Sequence, residues 1–134
     1  MRVMLAECAG IAGAAFHTVI ASLPDVDLAC DVKNPAEVLQ GAEAVQPDLV
    51  LLSHALMRSE FLKVVREIRT RLPYTKVITT STCNDSRMAL RAIEAGASGY
   101  LLEDRAFEEL GKAFRVVLSG WTYLSPGIAG LEKE

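Results

Sequence analysis

The chain alternates between short apolar runs and longer amphipathic segments, and these two periods predict its elements. Leu49 to Leu52 run apolar without alternation, introduced by Pro47-Asp48 and closed by Ser53-His54. A short unbroken apolar run is how a strand reads when both faces are covered, so this one is expected at the centre of a parallel sheet. Arg2 to Ala6 predicts a first strand, and Val26 to Val32 a second, broken by Asp27 and Asp31 as an edge strand would be. Thr75 to Ser81 is β-branched and reads as a fourth strand, with Ser98 to Leu102 as a fifth. Between the strands the spacing changes to three and four. Phe16, Val19, Ile20 and Leu23 give one face of a helix over 10–23, and Asn34-Pro35 caps and starts a second helix that runs to about Val45. Phe61, Val65, Ile68 and Leu72 mark a third, which Pro73 stops. Asn84 is expected to cap a fourth helix ending at Gly96, and Phe107, Leu110, Phe114 and Val117 mark the last, terminated at Gly120. Five strands alternating with five helices over short links imply right-handed crossovers and one doubly wound α/β domain.

Composition narrows the class. At 134 residues the chain is one domain long enough to bury a core, and 51% hydrophobic residues with a mean hydropathy of +0.25 suit a sheet covered on both faces. No apolar run approaches the roughly 20 residues of a membrane-spanning helix. The first strand starts too early to leave room for a signal peptide. A net charge of -3 and a pI of about 5.4 give no electrostatic footprint for nucleic acid. Cys8, Cys30 and Cys83 show no paired spacing and read as reduced thiols of a cytoplasmic protein.

In an open α/β sheet the carboxyl edge is where ligands bind, which puts Ser53, at the tip of the central strand, in the position of interest. Three segments then carry a resemblance: Pro47-Asp48-Leu49-Val50-Leu51-Leu52, the run from Glu94 through Gly96-Ala97-Ser98-Gly99-Tyr100-Leu101-Leu102, and the closing Gly120-Trp121-Thr122-Tyr123-Leu124-Ser125-Pro126. Together they resemble the receiver domain of bacterial response regulators of the NarL/FixJ class, which normally precedes a LuxR-type helix-turn-helix. The resemblance covers essentially the whole chain. It implies a CheY-like, flavodoxin-like sheet of five parallel strands in the order 2-1-3-4-5, flanked by five helices.

In that family an aspartate at the tip of the third strand accepts a phosphoryl group. An acidic pair after the first strand holds Mg²⁺, and a hydroxyl after the fourth strand and a lysine after the fifth bind the phosphoryl oxygens. Carried onto this sequence, the resemblance puts Ser53 at the acceptor position, Glu7-Cys8 at the acidic pair, Ser81 at the hydroxyl and Glu103 at the lysine, with Tyr100 at the switch aromatic. Only Ser81 and Tyr100 keep the family chemistry. Met57-Arg58 stands where the family usually shows Pro-Gly, and Phe61 where a glycine is common. One first-shell carboxylate is a poor site for a small cation that demands octahedral oxygen geometry, so Mg²⁺ binding is expected to be weak or absent and no other cofactor is implied. The expected molecule is a degenerate receiver, not an enzyme and not phosphorylated on aspartate.

Each sharper reading has a plainer rival. Ser53 is either a nucleophile or a small residue filling a vacated site; with only His54 beside it, expected on the opposite face of the strand, the second is favoured. Glu103 either joins Glu7 in binding a metal or is a solvated rim carboxylate. Cys8 and His54 are either ligands or a buried thiol and a loop histidine. Tyr100 either swings inward when the Ser81 hydroxyl is engaged or stands exposed as a contact on the face of the fourth helix and fifth strand. His17 reads as surface, and Arg66, Arg69 and Arg71 as a solvated face. Two functional classes follow. One is a regulatory interaction module acting through its oligomeric state on a signalling partner or an appended DNA-binding domain. The other is a small-molecule- or metal-binding flavodoxin-like domain using a pocket around Ser53, Glu7 and Glu103. The missing phosphate cradle, since Ala9-Gly10-Ile11-Ala12-Gly13 lacks the spacing, favours the first. Arg87 and Arg91 near Tyr100, Asp104 and Arg105 alternate in sign and suggest a homodimer with rim ion pairs. Residues 1–120 are expected to form the domain, and 121–134 a tail or linker.

Overall fold

In the computed structural model, which describes residues 1–128, a parallel sheet is sandwiched between two layers of helices. The elements in chain order are β1 (Arg2–Ala6), α1 (Ile11–Ser22), β2 (Asp27–Val32), α2 (Val38–Val45), β3 (Leu49–Ser53), a one-turn α3 (His54–Met57), α4 (Phe61–Arg71), β4 (Lys76–Ser81), α5 (Ser86–Ala95), β5 (Gly99–Leu102), α6 (Glu103–Leu118) and β6 (Tyr123–Leu124). The sheet order is β2-β1-β3-β4-β5-β6, all pairs parallel.

The alternation of side chains along β3 builds the two layers. Val50 and Leu52 join the core under α2, α4 and α5 with Met4 and Ala6. Leu49 and Leu51 join the core under α1 and α6 with Val3 and Leu5. All four β3 residues are fully buried, each worth about 1.5–3 kcal/mol relative to exposure. The run lacks polar alternation because neither face meets water.

Several expectations are corrected. A sixth strand is present: Tyr123 and Leu124 pair with Gly99 and Tyr100 of β5. Two residues carry no periodicity, and this strand exists because the chain leaving α6 meets an unpaired edge. Tyr123, Ser125 and Ile128 are buried there, while Trp121 is 72% exposed, and 129–134 of the expected tail lies outside the described residues. The N-cap of α5 is Asp85 rather than Asn84: its side chain accepts from the Arg87 N–H at 2.8 Å, which a carboxylate does with full charge at a positive helix end. After Ser53 the chain forms α3, which takes in His54, and a 3₁₀ turn, Arg58–Glu60. A similar turn, Pro35–Glu37, precedes α2, with Asn34 capping it as the Asn-Pro pair predicted.

One close approach fixes the β1 to α1 turn. Gly13 faces the Cys8 carbonyl so closely that a Cβ there would overlap it. Only glycine lets α1 sit down on the residues that follow β1.

Candidate functional site

The strand order reverses at β1 and β3, whose carboxyl ends therefore open the crevice of the sheet. Register brings the candidate residues level. Ala6 pairs with Leu52, Ser53 with Thr80, and Ser81 with Leu102, so the residue after each strand faces the same edge. The period of two then divides them between faces, and the division makes two separate clusters.

The first cluster lies on the α1 and α6 side and is acidic. Glu7 is 1% exposed, although it follows β1 directly. Its Oε2 accepts from the Thr80 hydroxyl at 2.8 Å, and the Ser53 hydroxyl also bonds to it. Burial pushes the Glu7 carboxyl above the usual carboxylate range; Thr80 pulls it back, and the charge on Glu103 pushes it up again. Ser53 is wholly buried and serves as the N-cap of α3, accepting from the Leu56 N–H at 3.1 Å. Its hydroxyl is thus engaged on both sides, donating to the Glu7 carboxyl and accepting from the Leu56 N–H, and it is held inside the edge rather than presented to a substrate. Ser53 and Glu7 are buried, whereas Glu103 lines a cleft on the outer side of the edge. Hydrogen bonds thus satisfy Glu7 and Ser53 inside the edge, and Glu103 stands on its outer side.

The second cluster lies on the α4 and α5 side. His54 begins α3 and is not a loop residue. It points away from Ser53, as expected, and its Nδ1 is 2.9 Å from the Ser81 Oγ. Ser81 Oγ also accepts from the Cys83 N–H at 2.9 Å, and the Cys83 carbonyl accepts from the Tyr100 hydroxyl at 2.7 Å. The His54 ring stacks on Phe61, with centroids 4.5 Å apart, and burial lowers its proton affinity. Tyr100 is 0% exposed, its hydroxyl pKa pushed up to about 12 chiefly by burial. The exposed placement of Tyr100 is thereby corrected; the inward one holds. The ring fills the core under α5 because its only polar atom finds a carbonyl.

The structure does not bring Cys8 and His54 into a metal-binding group, and no cluster of three or more His, Cys, Asp or Glu fit for a metal occurs among the described residues. Cys8, Cys30 and Cys83 are free and partly buried. Sequence reasoning missed Thr80. The signal was present: Thr79, Thr80 and Ser81 are three hydroxyls in one strand, and alternation sends the middle one to the Glu7 side.

Comparison with known proteins gives this edge its context. The profile of the response regulator receiver domain matches residues 13–115. The transcriptional regulatory protein LnrK of Bacillus subtilis (strain 168) is 33% identical over 102 residues, covering 76% of this chain and 46% of that protein. The nitrate/nitrite response regulator protein NarL of Escherichia coli (strain K12) is 27% identical over 110 residues, covering 82% of this chain and 51% of NarL. The chain thus spans about half the length of these curated relatives. A two-component response regulator of the LuxR family from Aurantimonas sp. SI85-9A1 superposes with a TM-score of 0.87 at 26% identity, over 96% of this chain and 91% of that one. A parallel sheet in this order, candidate residues gathered at its carboxyl edge and a profile match through most of the length lead to one conclusion: the chain belongs to the response regulator receiver domain family.

Proposed function

We propose that this receiver domain signals without an aspartyl phosphate, as a degenerate receiver whose edge chemistry has been replaced by fixed hydrogen bonds. The observation that carries the reading is Ser53. At the tip of β3, where the family places its phosphoryl acceptor, stands a fully buried hydroxyl that caps α3 and bonds to Glu7. Glu103 stands where the family places a lysine, so the charge offered to a transferred phosphoryl group is negative rather than positive. Glu7 is the single carboxylate at the acidic-pair position, and its oxygens are already engaged by Thr80 and Ser53, which leaves Mg²⁺ a poor site. Ser81 and Tyr100 keep their family identities; they interact with each other and are held by His54 and Cys83 as well.

The domain then acts as a regulatory interaction module in the cytoplasm, pairing with a second copy and controlling an appended helix-turn-helix domain or another signalling protein. The relatives named as transcriptional regulators, of which this chain spans about half, support that output. No helix among the described residues is long and apolar enough to cross a membrane. The surface around α5 and β5, with Arg87 and Arg91 on α5, is the proposed dimer face, and sedimentation equilibrium at micromolar concentration should show self-association without phosphoryl donors. The deciding experiment is incubation with acetyl phosphate and Mg²⁺, followed by intact-mass measurement and a beryllofluoride titration watched by amide spectra. No adduct and no spectral change are expected. An acid-labile phosphoryl adduct overturns the reading.

A further inference from the structure

The outer side of the carboxyl edge holds a cleft that Glu103 borders from the first cluster and Ser81 from the second. It measures about 550 Å³ and lies between the start of α1, the loop from β4 to α5 and the first turn of α6. That is the size of an ordinary small-molecule site. Its inner surface is apolar. Leu102 and Phe107 form it, and Phe107 is held in place by the Phe16 ring, with centroids 4.6 Å apart. At the mouth stands Ile11, 90% exposed, an aliphatic side chain with nearly all of its surface in water.

The α6 wall carries Glu103 and Asp104. Neither takes part in an ion pair among the described residues. Arg105, the nearest cation in sequence, turns away and donates to the Pro126 carbonyl at 3.4 Å. The buried Glu7 feels the Glu103 charge.

We propose that this cleft binds a small organic cation, a primary amine on an aromatic or branched alkyl body. The body lies on Leu102, Phe107 and Ile11, and the ammonium faces Glu103 and Asp104. The chemistry follows by elimination. A neutral apolar molecule covers the apolar surface but strips water from two carboxylates without replacing its hydrogen bonds. An anion meets charge of its own sign. A metal ion needs converging ligands, and no such group exists among the described residues. An amphiphilic amine satisfies both the apolar surface and the acids. Glu103 and Asp104 also face the free N–H groups at the start of α6, which favours acids in that turn. That effect stabilises the helix; it does not account for the apolar cleft beside it or for Ile11.

The test uses phenethylammonium, with phenethyl alcohol as its neutral counterpart, titrated into the whole chain by calorimetry and amide spectra. Saturable amine binding is expected with a Kd on the order of 1 mM, reasonable for so small a molecule. Amide shifts should appear at Ser81, Thr82, Leu102 and Phe107, which line the cleft or border it. E103Q and D104N should each weaken the amine about fivefold and leave the alcohol unchanged, whereas I11S should weaken both. Equal binding of amine and alcohol to the wild-type chain overturns the proposal, as does the absence of saturable shifts. So do acid variants that alter thermal stability while binding the amine as before, the result a purely helix-stabilising role would give.

Discussion

Replacing Thr80 with valine removes one oxygen from a fully enclosed polar contact. Thr80 is 0% exposed and Glu7 1% exposed, and the bond between them is 2.8 Å long. Valine keeps the shape of the side chain, so packing is preserved and the polar loss is isolated. With Glu7 ionised, the lost bond is to a charged acceptor in a buried site and should cost about 1.5–3 kcal/mol. With Glu7 protonated, the partner is neutral and the cost falls to about 0.5–1.5 kcal/mol. The pH dependence has a definite sign. The folded-state pKa of Glu7 is raised above its ordinary value of 4.5, so its contribution to stability is fully present below that value and is lost as pH rises through the folded pKa. Thr80 restrains this shift, and T80V lets burial push the carboxyl higher still. The difference between variant and wild type should therefore be larger at pH 8 than at pH 5, by about 1 kcal/mol. His54, whose lowered proton affinity tilts stability the other way, is common to both proteins and cancels in that difference. Urea unfolding at the two pH values measures it, and an E7Q/T80V double-mutant cycle assigns it to the pair. A loss below about 0.5 kcal/mol that does not change with pH would refute the account, because it would mean the carboxylate is solvated in spite of its burial.

Two further outcomes follow from the same structure. Tyrosine ionisation followed at 295 nm should show a step near pH 12 that Y100F abolishes, and the stability owed to the neutral ring should be lost as pH rises from about 10 through that value; a Tyr100 that ionises at its ordinary value of 10 would show that the ring does not stay inside. Arg58 has φ 52° and ψ -122°, a backbone conformation that a side chain strains, so R58G should raise the urea midpoint by about 1 kcal/mol equivalent after the entropy of the added glycine is subtracted, and a lowered midpoint would refute it.

The sequence by itself determined the layers of the fold, because the signals involved are local and repeated. The unbroken Leu49 to Leu52 run, the spacing of Phe61, Val65 and Ile68, and the Asn34-Pro35 start each depend on a few neighbouring residues, and each reappears in place. Strand parity also separated Ser53 from His54 correctly. Other features depended on residues far apart in the chain. β6 is two residues long and exists only because β5 offers it an edge. Thr80 gains its meaning from Glu7, 73 positions earlier, which the strand order sets beside it. Whether Tyr100 lies inside or outside was open in the sequence, since an amphipathic ring suits either; the carbonyl of Cys83, within hydrogen-bond reach of its hydroxyl, decided for the inside. Periodicity records which face a residue turns inward. What it meets there is set by packing and by the cost of burying a polar atom without a partner, and that only the tertiary structure decides.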